Sequence, residues 1–203
     1  MKKLFLTLFI AAAVCGSASA QRLQVGLRSG MTATDYRFSP VVIDGTRFTS
    51  GSTRAGFEAG FVLRLNLSKH LHLQSELDYV SANYSVRAAS TRLHTGVRLR
   101  SERFEVPVQL GLQFGALRLF GGASFRLNTS THSSYSDLLK VKFSEKPAWL
   151  GGVGLNIGKF FFDARVQGPW GFKNRNTFIS HGIARQVHVR NDLVWCGSLG
   201  FFF

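Results

Sequence analysis

Histidines, serines and a large set of arginines and carboxylates define the chemistry open to this chain of 203 residues. Acyl transfer needs a hydroxyl, an imidazole to take its proton and an acid to orient the imidazole. His132-Ser133-Ser134 and Asp137 bring those types into one segment, and His94, His181 and His188 are further bases. Neighbours on an extended chain point to opposite faces, so adjacency does not bring His132 to Ser133. A G-x-S-x-G nucleophile elbow is also absent. These residues read as ordinary polar loop positions. His70, His72 and Glu76 share one face of an extended segment, as metal ligands could. Two imidazoles are too few for a zinc site, so hydrogen bonding in an interior is the expectation. Neither metal nor cofactor is expected.

Charge is the larger signal. The chain has 25 Lys+Arg against 11 Asp+Glu, a formal net charge of +14, yet only 18% of it is charged and 45% is hydrophobic. One set of charges recurs on the polar face of alternating segments: Arg28, Arg54, Arg64, Arg103, Arg118, Arg126 and Arg165 against Glu58, Glu76, Asp78, Glu105, Asp163 and Asp192. A second set stands apart. Arg87, Arg92, Arg98 and Arg100 lie between 85 and 101, and Lys173, Arg175, Arg185 and Arg190 between 168 and 190, with no acid in either stretch. Basic surface of that kind favours anionic partners.

The elements that carry these residues follow from composition and period. Lys2 and Lys3, the apolar Leu4–Val14 and Ala18-Ser19-Ala20 form a secretory signal over residues 1–20. A lipidated Cys15 is disfavoured by the bulky Val14 before it. Removing the signal takes two lysines and no acid, lowering the charge to +12 over residues 21–203. Cys196 then has no partner for a disulfide within the chain. Beyond the leader no apolar run reaches the length of a membrane helix.

Apolar residues recur instead with period two, which gives a strand one apolar face. In Arg54–Leu67, the odd positions Ala55, Phe57, Ala59, Phe61, Leu63, Leu65 and Leu67 are apolar. The same pattern runs through 23–33, 70–79, 103–114, 117–128, 148–157, 160–167 and 191–203, giving eight strands. Gly151, Gly152 and Gly154 blur the facing of the sixth. Connections at Ser68-Lys69, Gly115-Ala116 and Gly158-Lys159 are hairpin-short, whereas 34–53, 85–101, 129–147 and 168–190 are long and polar. Strict alternation of tight turns and long loops is the layout of a membrane barrel. A soluble lipocalin-type barrel would share the period and point its apolar face inward. Charges of both signs and many glycines on the polar face favour membrane. So do aromatics toward strand ends: Tyr84, Phe104, Phe114, Trp149, Phe160, Trp170 and Phe201. The expected fold is an all-β, eight-stranded antiparallel up-and-down transmembrane barrel with periplasmic termini.

Leu199-Gly200-Phe201-Phe202-Phe203, with Leu199, Phe201 and Phe203 on one face, resembles the terminal signal read by outer-membrane assembly machinery. Ser198 stands where that signal usually has Gly. The segments Arg103–Val108, Leu119–Phe125 and Phe162–Arg165 resemble those of the small outer-membrane β-barrel family of Bacteroidota-type bacteria, often labelled PorT-like or porin family. The resemblance implies a fold and a location, without an activity. A few barrels of this size modify lipid A with a Ser, His and acid at the outer rim, which makes a lipid-A-modifying enzyme one alternative. A narrow channel is another, although eight strands leave an interior that side chains fill. The expected partners are outer-membrane lipid, lipopolysaccharide, the assembly machinery and an extracellular ligand at the loops. Nucleic acid is excluded by export. The facing is testable: Leu63→Arg on the lipid side should cost about 2–4 kcal/mol, and Gln109→Arg on the inner side less, by urea unfolding in vesicles.

Overall fold

The computed structural model describes residues 23–90, 93–133, 140–142, 147–171, 174–180 and 183–203. Twelve strands follow the chain: β1 (Leu23–Phe38), β2 (Val41–Ile43), β3 (Thr46–Ser50), β4 (Arg54–Asn66), β5 (Leu71–Ser90) and β6 (Leu93–Phe114), then β7 (Leu117–Ser133), β8 (Lys140–Lys142), β9 (Ala148–Ile157), β10 (Phe160–Pro169), β11 (Asn174–Ser180) and β12 (Ile183–Phe202). Eight of them form an antiparallel ring in the order β1-β4-β5-β6-β7-β9-β10-β12. Pairing of β12 with β1, from Gly26 opposite Phe202 to Phe38 opposite Val189, closes it. Closure leaves no strand edge to lie unpaired in hydrocarbon, the one way a sheet can cross a bilayer. The expected barrel is therefore observed.

Tight turns gather at one end. Gly115 and Gly158 take φ of 60° and 61°, the left-handed conformation that two-residue hairpins require. Around the lower barrel the alternation is read as expected. Leu27, Phe61, Leu73, Leu110, Leu119, Leu155 and Leu199 are exposed on the outside, while Arg28, Glu58, Glu76, Gln109, Arg118 and Asp163 are buried inside. In β9 the ambiguous facing resolves with Ala148 and Leu150 inward and Trp149 and Val153 outward. Gly154 is there for space. A Cβ at that position would stand 2.3 Å from Asp163 Oδ1 and 2.9 Å from Arg118 Nη2.

The opposite end departs from expectation. Much of what reads as long polar loop is strand: β5 runs 20 residues and β6 22, about twice what crossing needs. The segment 34–53 contains a β2–β3 hairpin on Asp44-Gly45, both with positive φ. The four off-ring strands build a second tier, β2 on β3, β3 on β5, β11 on β12 and β8 on β11. The reason is a reversal of polarity along strands whose geometry does not change. On β5 the even positions carry Gln74, Glu76 and Asp78 inward, then Val80, Ala82, Tyr84, Val86 and Ala88 inward. On β6 the odd positions run from Gln109, Glu105 and Arg103 to Leu99 and Val97. Past the bilayer the outside meets water, so the apolar face turns to the middle.

Those inward residues join Tyr36, Phe38, Ile43, Phe48, Phe178, Val187 and Val189 in one buried apolar cluster that caps the ring. Tyr84, expected among the interfacial aromatics, belongs to this cap. It is 4% exposed and packs edge-on to Tyr36 at 5.2 Å. The outer aromatic belt on that side is instead Tyr79 against Phe104, with Trp149 and Trp195. Phe114, Phe160 and Phe203 mark the short-turn end. Gln109 is fully enclosed and its amide donates to Glu76 Oε1 at 2.7 Å, so the smaller cost expected of Arg at this inner position does not follow. Gln24, half-buried, lines the open space at the short-turn mouth and is an inner position better suited to that comparison. Phe178 is fully buried, 4.9 Å from the Phe38 ring, so Phe178→Ala should lower unfolding stability by about 3–5 kcal/mol in a denaturant titration.

Candidate functional site

The inward positions of the eight ring strands build a stack of charged layers beneath the cap. At its centre, Arg28 pairs with Glu58, Glu76 and Asp78, and Arg165 contacts the same three at 3.0, 2.8 and 3.3 Å. Two guanidinium groups thus hold three carboxylates, all with side chains at most 2% exposed. Ser198 Oγ accepts from Arg28 at 2.8 Å, and the Cys196 thiol donates to Glu58 Oε1 at 2.8 Å. Amides of Gln74 and Gln109 donate to Glu76. Strands β1, β4, β5, β6, β10 and β12 are tied together through side chains that lie far apart in sequence. Such pairing makes the buried charges tolerable.

Toward the short turns lies a second layer. Arg118 donates to Asp163 and, at 3.0 Å, to Gln74 Oε1. Arg64 donates to the same Gln74 oxygen at 2.7 Å and to Asn156 Oδ1 at 3.3 Å, and its guanidinium lies 4.4 Å from the Phe202 ring centre. Toward the cap, Glu105 accepts from Arg103 at 2.5 Å, Ser124 at 3.1 Å and Gln167 at 3.2 Å, with Arg126 at 3.4 Å. The layers alternate in sign, with two Arg per acid above and below and three acids for two Arg between. Arg54 faces inward, half-buried, and its Nε has no hydrogen-bond partner among the described residues. The side chain of Asp192 lies outside the described ones.

The basic positions read as loop residues sit elsewhere than expected. Arg87, Arg98 and Arg100 stand exposed on the outer faces of β5 and β6, further along these strands than the Tyr79–Phe104 belt. Ser85 pairs with Arg98 and Arg87 with Gly96, which makes Arg87 and Arg98 diagonal neighbours. Arg100 also contacts Glu102 at 2.9 Å and Ser81 at 3.1 Å. Arg47, exposed on β3 opposite Ala89, extends this stripe, and it was hidden in the sequence by an apparent loop. Arg185 is exposed on β12. Arg92 and Lys173 lie outside the described residues, as do the side chains of Arg175 and Arg190.

The candidate chemistry does not assemble among the described residues. His70 lies exposed at the turn with Nδ1 3.1 Å from the Gln113 carbonyl, whereas His72 points inward and is buried. Glu76 is taken by Arg28 and Arg165, so the three do not share a site. Neither ring nitrogen of His72 has a hydrogen-bond partner, contrary to the interior hydrogen bonding expected of it. His188 is exposed. Ser134, Asp137 and His181 lie outside the described residues, and the side chains of His94, His132 and Ser133 outside the described side chains. Leu199, Phe201 and Phe203 face outward beside the short turns, with Phe201 packed on Phe160 at 5.2 Å.

A closed ring of antiparallel strands, apolar without and ion-paired within, defines an integral outer-membrane β-barrel. The chain belongs to the family described as Outer membrane protein beta-barrel domain, which matches residues 17–175. No curated protein matches it in sequence. Among solved structures it is similar to the outer membrane protein OprG of Pseudomonas aeruginosa, at 13% identity and TM-score 0.57, covering 89% of this chain and 95% of that one. It is also similar to Ail, the attachment invasion locus protein of Yersinia pestis, at 12% identity and TM-score 0.46, covering 90% and 100%. For Escherichia coli Outer Membrane Protein W the values are 10% and 0.41, covering 91% and 100%. At such identity the likeness to OprG is one of fold.

The central layer gives a direct test. Arg165→Met should destabilise the barrel by about 3–5 kcal/mol, because it leaves buried carboxylates short of a partner. Adding Asp78→Asn should restore part of that loss, measured by reversible unfolding in vesicles.

Proposed function

We propose that this barrel is a sealed structural or contact element of the outer membrane, held against lipopolysaccharide through its basic outer faces. The observation that carries the reading is the filled interior: three charged layers lie beneath an apolar cap that includes Phe38, Phe48 and Phe178. Water-filled pores need about sixteen strands, and this ring has eight. A non-conducting role is therefore preferred to a narrow channel, and a lipid-A-modifying enzyme is the second reading. The stripe of Arg47, Arg87, Arg98 and Arg100 supports lipopolysaccharide as partner. It lies on outward strand faces beyond an aromatic belt, where the polar part of lipopolysaccharide would extend, and guanidinium pairs well with phosphate. Lys173, Arg175, Arg185 and Arg190 are proposed to act alike. An extracellular ligand would meet the same exposed strand faces. Recognition by the assembly machinery is assigned to Leu199, Phe201 and Phe203, and residues 1–20 to an export signal. Kinship with the PorT-like barrels of Bacteroidota-type bacteria rests on the segments quoted above and brings no activity with it.

Two measurements test the proposal together. In planar bilayers the folded protein should show no steps in the nanosiemens range. With labelled lipopolysaccharide at low salt, Arg87→Glu with Arg98→Glu should fold normally and bind about tenfold or more weakly, at roughly 1 kcal/mol per basic group near an anionic surface. Open conductance, or binding untouched by the charge reversal, would overturn it. Release of acyl chains from the label would favour the enzyme.

A further inference from the structure

The short-turn mouth of the ring opens on a vestibule of about 660 Å³. Gln24, Asn66, Lys69, Gln113 and Asn156 line its sides, and Arg64 and His72 lie at its inner end. No acidic residue is among the described residues lining it. Arg64 is 2% exposed and held in place by the Gln74 and Asn156 oxygens and by the Phe202 ring. Among the described residues its remaining nitrogen, Nη2, has no hydrogen-bond partner, and neither has His72 Nδ1 or Nε2. The one carboxylate of this layer, Asp163, is committed to Arg118. A buried guanidinium thus lies at the inner end of an open space with no carboxylate among its hydrogen-bond partners, and a buried donor left unpartnered is costly unless something reaches it.

We propose that this vestibule binds a small soluble molecule carrying a carboxylate or phosphate, whose oxyanion pairs with Arg64 while its polar body lies against Gln24, Asn66, Gln113 and Asn156. The volume suits this class, since small-molecule sites span about 300–1,000 Å³. Lys69 on the rim adds a second positive charge along the approach. The site faces away from the outer arginine stripe and is independent of the lipopolysaccharide reading.

Calorimetric titration of the folded barrel in zwitterionic micelles, at constant ionic strength, tests it with succinate and with inorganic phosphate. Saturable one-site binding of at least one probe is expected, and the comparison between them tells carboxylate from phosphate. Asn156→Asp places a carboxylate beside Arg64 Nη1, so it should weaken binding by about tenfold or more and raise the thermal midpoint. Lys69→Glu, on an exposed turn remote from the packed interior, should weaken it about two- to fivefold. Absence of saturable binding with both probes would overturn the proposal. So would binding that neither variant changes.

Discussion

Two arginines facing three carboxylates in the middle of the ring are the interaction on which the rest of this barrel depends. Lipid contact gives the outer residues no preference for one strand neighbour over another. The inside supplies it. Arg28 on β1 and Arg165 on β10 reach Glu58 on β4 and Glu76 and Asp78 on β5, so the register of four strands is fixed by charges that must meet. A slip of one residue would turn every one of these groups toward hydrocarbon. Gln74, Gln109, Cys196 and Ser198 complete the contacts and leave the centre with a surplus of negative charge. The surplus of arginine in the layers on either side balances it.

The lower barrel was legible because its code is simple. Where lipid lies outside and ion pairs inside, large apolar residues mark one parity and charges the other, and Arg54–Leu67 shows this without ambiguity. The upper barrel keeps the same period but exchanges the meaning of the two parities. Val80, Val86, Val97 and Leu99 sit on the inward parity that Glu76 and Glu105 occupy lower down. A reader following one apolar face loses it at Tyr79 and Phe104 and finds only polar chain beyond. The Asp44-Gly45 turn was the local clue to extra strands, since Asp-Gly between alternating residues is a strong hairpin signal. Charge pairing was partly legible too. Types and facing of Arg28, Glu58 and Arg165 could be read, whereas partners separated by over a hundred residues, such as Arg165 and Glu58, could not. The vestibule was not legible at all, because Arg64, His72 and Asn156 come together only when the ring closes.

Together these features divide the molecule by depth. At the short-turn mouth is an open, basic hollow; then come packed ion pairs at bilayer level, and then an apolar cap ringed by arginines on its wet surface. Each level matches its solvent, and each polarity change along a strand falls where the surroundings change. The same logic explains why the conspicuous arginines are of two kinds. Arg28, Arg118 and Arg165 are spent within the fold, while Arg47, Arg87 and Arg98 remain on the surface.

The seam between β1 and β12 has a consequence for the order of events during assembly. Gly26 meets Phe202, and the Phe203 amide donates to the Val25 carbonyl at 3.0 Å, so residues from opposite ends of the described chain complete the cylinder. Contacts this remote in sequence form late and slowly. Until they do, two raw margins stand open, and the chain must be sheltered from its own kind. The aromatic tail that zips up this gap is also the stretch proposed as the handle for the insertion apparatus. One peptide segment would thus serve first as a grip and afterwards as a clasp.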